Sequence, residues 1–214
     1  MAKVAATILA TTPAEYAERI DRVKPFARRV HVDIADGVFA PNKTIGPSQV
    51  YGVDGAELDL HIMVEYPESQ IQNLLCLEPD LVIFHFESHG DLGTLFKQLK
   101  EVGIRAGLAI KPDTTIEQIK SLLPQVDHLL VFTGALGFNG GQFDGACLGK
   151  IQAAKAINPN LEVGVDGGVN QETAHLCIQH GADVLNSGSF IHDAPDPEAA
   201  YLGLEAIATG ESSQ

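Results

Sequence analysis

The heptapeptide His31–Gly37, HVDIADG, places an imidazole and a carboxylate two positions apart among the aliphatic residues Val30, Val32 and Ile34. Residues two apart on a strand point the same way, so His31 and Asp33 share one face. Burying that pair is costly unless a hydrogen-bond network or a metal ion compensates. His61 repeats the pattern in LDLHIMV, where Leu60 and Ile62 take one face and His61 and Met63 the other. Asp166 closes the run LEVGVD, with Gly164 on its face keeping the wall open. Two imidazoles and two carboxylates suit a borderline divalent cation: zinc, iron(II), manganese or cobalt. Plainer readings stand beside this one. A strand histidine is commonly a satisfied core residue, and an aspartate before Gly-Gly is commonly a turn residue. His85 belongs beside the set, His89 to a loop, and Asp36 reads as a turn residue that ties down the loop after the second strand.

Glycine supplies a second signal. GFNGGQ (137–142), DGGV (166–169) and NSGSF (186–190) each follow a strand-like run. Such loops let backbone N–H groups approach an anion, and a following helix N-terminus favours negative charge. Each could equally be an ordinary turn. Their position after the last three strands favours phosphate.

These residues need a scaffold that brings several strand ends together. Strands are expected near 4–9, 28–34, 57–63, 80–86, 104–110, 126–132, 161–166 and 183–187. Helices are expected near 13–24, 67–77, 91–101, 115–122, 147–157, 171–180 and 196–208, with only a turn or two after the second strand. Eight strands with crossovers predict a closed parallel α/β barrel, (β/α)8, with its chemistry at the C-terminal strand ends. The rival is an open doubly wound sheet, but ATILATTPAEY lacks the glycine fingerprint after the first strand. One domain over 1–214 is expected, with a frayed tail at 209–214.

Composition bounds the rest. A net charge of −14 with no basic block argues against nucleic acid as partner. No run of about 18 apolar residues suggests a membrane span, and the N-terminus is a poor signal peptide. Cys76, Cys147 and Cys177 form no CxxC, which predicts reduced, buried thiols in a cytoplasmic protein.

Taken in order, HVDIADGVFAPNKTIGP, DLHIMVEYPE, RAGLAIKPDT, GFNGGQFD, VDGGVN and GADVLNSGSF resemble the ribulose-phosphate 3-epimerase family, from about residue 3 to about 192. The resemblance implies a TIM barrel of the ribulose-phosphate binding type, one divalent metal ion and a phosphorylated ketose substrate. His31, Asp33, His61 and Asp166 fall on the family's metal ligands, and Asp33 and Asp166 also on its catalytic acid/base pair. Thr7 falls on a substrate-contacting serine. Gly140, Gly141, Gly167, Gly168, Gly188 and Ser189 fall on phosphate-binding backbone. The implied reaction inverts C3 of a ketose phosphate, D-ribulose 5-phosphate to D-xylulose 5-phosphate, through a metal-stabilised enediolate, as in the pentose phosphate pathway. A homo-oligomer is expected, with no nicotinamide or flavin.

The chain also departs from the family pattern. Ala10 lacks a hydroxyl, Ala35 and Phe132 replace methionines so that only Met63 remains near the metal, Leu136 replaces a proline, and Asn139 is one residue extra. These changes touch the cap over the substrate. They leave open a ketohexose-6-phosphate 3-epimerase or a non-catalytic sugar-phosphate binder. A lyase on the same barrel would want a lysine in the strand-end set, where none is read.

Overall fold

The computed structural model describes residues 1–134 and 143–211. Eight parallel strands close in sequence order: β1 (Lys3–Leu9), β2 (Arg29–Ala35), β3 (Glu57–Met63), β4 (Leu81–His85), β5 (Arg105–Ile110), β6 (His128–Phe132), β7 (Glu162–Asp166) and β8 (Val184–Ser187), with β8 pairing back onto β1. Around them run α1 (Pro13–Val23), α2 (Ile71–Leu75), α3 (Leu92–Glu101), α4 (Ile116–Ile119), α5 (Gly149–Ile157), α6 (Gln171–Gln179), α7 (Ser189–His192) and α8 (Pro197–Thr209). The second connection holds a single 3-10 turn at Pro47–Gln49, as its sequence suggests.

Local chemistry starts and stops the helices. Thr12 accepts from the Glu15 N–H at the head of α1, with Pro13 in the first turn. Asp91, Asn170 and Asp196 cap α3, α6 and α8 in the same way, and α8 ends on left-handed Gly210. The Tyr201 hydroxyl pins α8 to the barrel by accepting from Arg28 N–H and donating to Val4 O.

Strand alternation separates two environments. Val30, Val32, Ile34, Leu60, Ile62, Leu108, Leu129, Val163 and Val165 belong to the main core, between barrel and helices. Leu81, Ile83, Ala109 and Leu130 form a separate small cluster, as expected of the alternate residues that face the barrel axis. Gly164 does not leave the wall open. A Cβ there would meet His128 Nε2 at 2.8 Å, so the missing side chain makes room for that imidazole.

The strand starts carry a buried ionic layer. Arg29 is 1% exposed; its Nε donates to Asp59 at 2.6 Å and its two Nη groups donate to Glu162 at 3.0 Å each. Arg105 also reaches Glu162 and Glu57, His128 Nδ1 lies 2.8 Å from Glu162, and Lys3 donates to Glu57. Burial alone would raise the Glu162 pKa, but its bonds to His128 and Arg29 hold the carboxyl far below the ordinary range.

Candidate metal centre

Register brings the candidate residues together at the opposite end. Thr7 pairs with His31, and Asp33 with His61, in the β1–β2–β3 ladder. Asp166 ends β7, three strands from β2 around the closed ring. His31, Asp33, His61 and Asp166 are all buried, and one ligating atom from each lies within 4.8 Å of the others. His61 Nδ1 is 2.8 Å from Asp33 Oδ1 and 3.9 Å from Asp166 Oδ2. His31 Nε2 is 3.5 Å from Asp33 Oδ1 and 3.7 Å from Asp166 Oδ2.

The donor set fits a divalent cation. Bonds of about 2.0–2.2 Å in a tetrahedron put ligand atoms roughly 3.4 Å apart, and the four distances above bracket that value. His31 is fully buried, yet neither ring nitrogen has a hydrogen-bond partner among the described residues. A buried polar group is ordinarily partnered, and a cation held with Asp33 and Asp166 would satisfy it. Lysine and arginine supply no ion-pair contact to either carboxylate among the described residues.

The two carboxyls differ. Burial pushes Asp166 up, and the neighbouring Asp33 charge pushes it further. Burial also acts against Asp33, but His31 and His61 outweigh it and hold Asp33 low. Burial lowers the His31 pKa, yet the two aspartates overcome this and leave it raised.

His85 joins this group more closely than its sequence position suggests. Its Nε2 is 2.8 Å from His61 Nε2, and its Nδ1 is 3.0 Å from Glu87 Oε2. Glu87 also accepts from Lys111 N and from the Thr114 hydroxyl. Burial would raise Glu87, but these hydrogen bonds and His85 hold it at about 2. Glu87 and Thr114 went unnoticed in the sequence; the only local signal is Glu87 two residues beyond His85. A lysine does follow a strand end. Lys111 comes directly after β5, but its amine lies 4.0 Å above the Phe39 ring and outside the four-residue group.

The remaining candidates line the same end. Thr7 is buried with a hydroxyl that has no partner among the described residues, and Gly188 packs beside it. Gly167 and Gly168 follow β7, and Gly188 and Ser189 follow its neighbour β8. Gly188 caps the short helix α7, which begins at Ser189. Gly140 and Gly141, with Leu136 and Asn139, lie outside the described residues. Asp36 is a loop tie, accepting from Val38, Phe39 and Glu65 amides. His89 is exposed on a loop. Met63 packs with Ala35, Ala40 and Phe39, and the Phe132 ring stands 6.2 Å from His61. The three cysteines are free thiols; Cys147 and Cys177 are buried, but Cys76 is exposed because it caps the short helix α2 at the surface.

Residues 133–134 and 166–167 are locked together. Thr133 N–H donates to Asp166 O at 2.7 Å and its hydroxyl to Gly167 O at 2.6 Å. Gly167 has φ +108° and lies so near Gly134 that a Cβ would fall 2.5 Å from Gly134 N. Asp144 N–H returns to Thr133 O at 2.9 Å.

A closed parallel barrel with a buried His/Asp group where its strands end defines an enzyme scaffold of the (β/α)8 class. The family model for the ribulose-phosphate 3-epimerase family matches residues 3–192. The chain belongs to that family, whose members are isomerases. It is 35% identical over 209 residues to ribulose-phosphate 3-epimerase of Bacillus subtilis (strain 168), covering 94% of this chain and 96% of that protein. It is 33% identical over 210 residues to the enzyme of that name from Schizosaccharomyces pombe, covering 95% and 92%. Among solved structures, 3-hexulose-6-phosphate synthase from Salmonella typhimurium shares the fold, with a TM-score of 0.75 and 16% identity over 97% of this chain and 99% of that one. Among the described residues no helix is long and apolar enough to cross a membrane.

Proposed function

We propose that the chain inverts C3 of a ketose phosphate, interconverting D-ribulose 5-phosphate and D-xylulose 5-phosphate. One observation carries this reading: two buried carboxylates, Asp33 and Asp166, reach one metal-competent group from separate strands, each within 4 Å of both His31 and His61. A proton on C3 lies alpha to the C2 ketone. Removing it from one face and returning a proton to the other inverts the centre, and this needs two carboxyls, one ionised and one protonated. Asp33 and Asp166 supply them from strands three apart around the mouth, exchanging roles with direction. His31, Asp33, His61 and Asp166 would hold one divalent ion. When bound, it supplies Lewis acidity that lowers the cost of negative charge on the sugar oxygens. Thr7 contacts the substrate, while Gly167, Gly168, Gly188 and Ser189, with Gly140 and Gly141, receive the phosphate. That remote contact holds the reacting carbon in register, so its loss lowers turnover as well as affinity.

The test is a panel of ribulose 5-phosphate, a ketohexose 6-phosphate and free ribulose, followed by NMR in deuterated water with metal analysis of the same sample. Epimerisation with deuterium entering C3 of the pentose phosphate is expected, with free ribulose very poor. Faster turnover of the hexose phosphate would reassign the substrate. Equal rates on ribulose and its phosphate would remove the phosphate site.

A further inference from the structure

Behind His61 a row of buried groups leads away from the mouth. His61 Nε2 faces His85 Nε2 at 2.8 Å, and His85 Nδ1 faces Glu87 Oε2 at 3.0 Å. The other Glu87 oxygen accepts from Lys111 N at 2.9 Å and from the Thr114 hydroxyl. Both imidazoles are fully buried. The Phe39 ring packs at a tilt of 48° beside His85 with centroids 4.9 Å apart, and the Lys111 amine covers that ring.

Proton accounting fixes the direction of this row. A carboxylate holding two donors on one oxygen has only acceptor capacity to offer with the other. His85 therefore carries its proton on Nδ1 and presents a lone pair at Nε2. A 2.8 Å contact between two ring nitrogens holds one proton, so His61 must donate from Nε2. Its Nδ1, 2.8 Å from Asp33 Oδ1, carries a proton in the ion-free chain and is the atom left with a lone pair once a cation displaces that proton. We infer that His85 and Glu87 are positioning residues that lock His61 into the tautomer able to ligate a cation through Nδ1. This rests on reading the His31–Asp33–His61–Asp166 group as a metal site, and adds two residues that touch no metal. Partners of this kind fix ring orientation and raise ligand basicity.

Glu87→Gln tests it with almost no change in shape. If the amide oxygen keeps Lys111 N and Thr114, its NH2 faces His85 Nδ1. His85 must then accept there and carry its proton on Nε2, which drives the His61 proton to Nδ1. Binding an ion would require turning the amide and losing the bond to Lys111. Zn2+ affinity, measured by competition with a chromophoric chelator, should fall about 10–100-fold, with little change in melting temperature. Nitrogen-15 NMR of the zinc-loaded wild type should show His85 protonated at Nδ1 and His61 at Nε2. His85→Phe, which removes the acceptor, should also weaken Zn2+ binding. Unchanged Zn2+ affinity in both variants, or a zinc-loaded wild type with His85 protonated at Nε2, would overturn the inference. A wild type that bound no Zn2+ would overturn the metal reading and this inference with it. A tight-binding wild type with unaffected variants would overturn the relay alone.

Discussion

Each end of the barrel gathers charged and imidazole side chains around a buried centre, and the two are built oppositely. At the strand starts Arg29, Arg105, Lys3 and His128 meet Glu57, Asp59 and Glu162, and Arg29 is spent on hydrogen bonds of 2.6–3.0 Å. At the strand ends three imidazoles meet Asp33, Asp166 and Glu87, with no guanidinium among them and with His31 unpartnered at both nitrogens among the described residues. The first cluster carries its own cations and closes the barrel floor. The second is short of positive charge. A buried anionic group that the chain does not neutralise is a place for a cation from outside.

The largest expected effect separates chemistry from binding at the strand ends. Asp166→Asn should cut turnover on the order of 10²–10⁴-fold, because an amide cannot exchange a proton at neutral pH. The Michaelis constant should change far less, and deuterium entry at C3 should disappear. An Asp166→Asn protein that epimerises at the normal rate would take this residue out of the mechanism.

Exchanging one residue at each end tests the contrast itself. Arg29→Met leaves Asp59 a buried, uncompensated anion, while Glu162 keeps Arg105 and His128; it should cost about 3–5 kcal/mol of stability, read by denaturant melts, with metal content unchanged. His31→Ala should do the reverse, losing most bound divalent metal while the barrel still folds. If either variant showed the other's behaviour, the division between floor and mouth would be wrong.

A smaller effect concerns pH. His31 sits between carboxylates and is held up, whereas His192 is buried, lies near Arg19, and is held down at about 4. Its Nε2–H donates to Thr7 O at 3.1 Å. The unfolded chain takes up this proton near 6.5 and the folded one only near 4, so the unfolded state binds more protons in between. This contribution to stability is full above pH 6.5 and is lost as pH falls toward 4, amounting to about 2 kcal/mol by pH 5. His192→Phe should flatten the melting-temperature profile between pH 7 and 5. An unaltered slope would show that His192 is not the group responsible.

Much of this was legible in the residues. Aliphatic runs at the right spacing marked eight strands to within two residues at their ends, and the alternation around His31, Asp33 and His61 placed them on one face. The floor was not legible. Arg29 meets Asp59 30 positions away on the neighbouring strand and Glu162 133 positions away on a strand three removed, and only closure of the barrel brings these strand starts together. The His61–His85 contact was hidden for the same reason, since β3 and β4 had to be placed side by side first. α7 spans four residues, too short for helical periodicity to register. Gly164 was misread because an absent side chain announces space without saying what fills it. Here it is His128.

The clasp at Thr133 has a consequence for how this protein can diversify. One residue holds Asp166 O through its N–H, Gly167 O through its hydroxyl, and the returning Asp144 N–H through its own carbonyl. The chain leaves and re-enters the barrel mouth where Thr133 and Asp144 meet. Loop-closure entropy grows by only about 0.6 kcal/mol for each doubling of length, so one added residue such as Asn139 costs a small fraction of that. No change of sequence beyond Gly134 alters the groups with which Thr133 holds Asp166 O and Gly167 O.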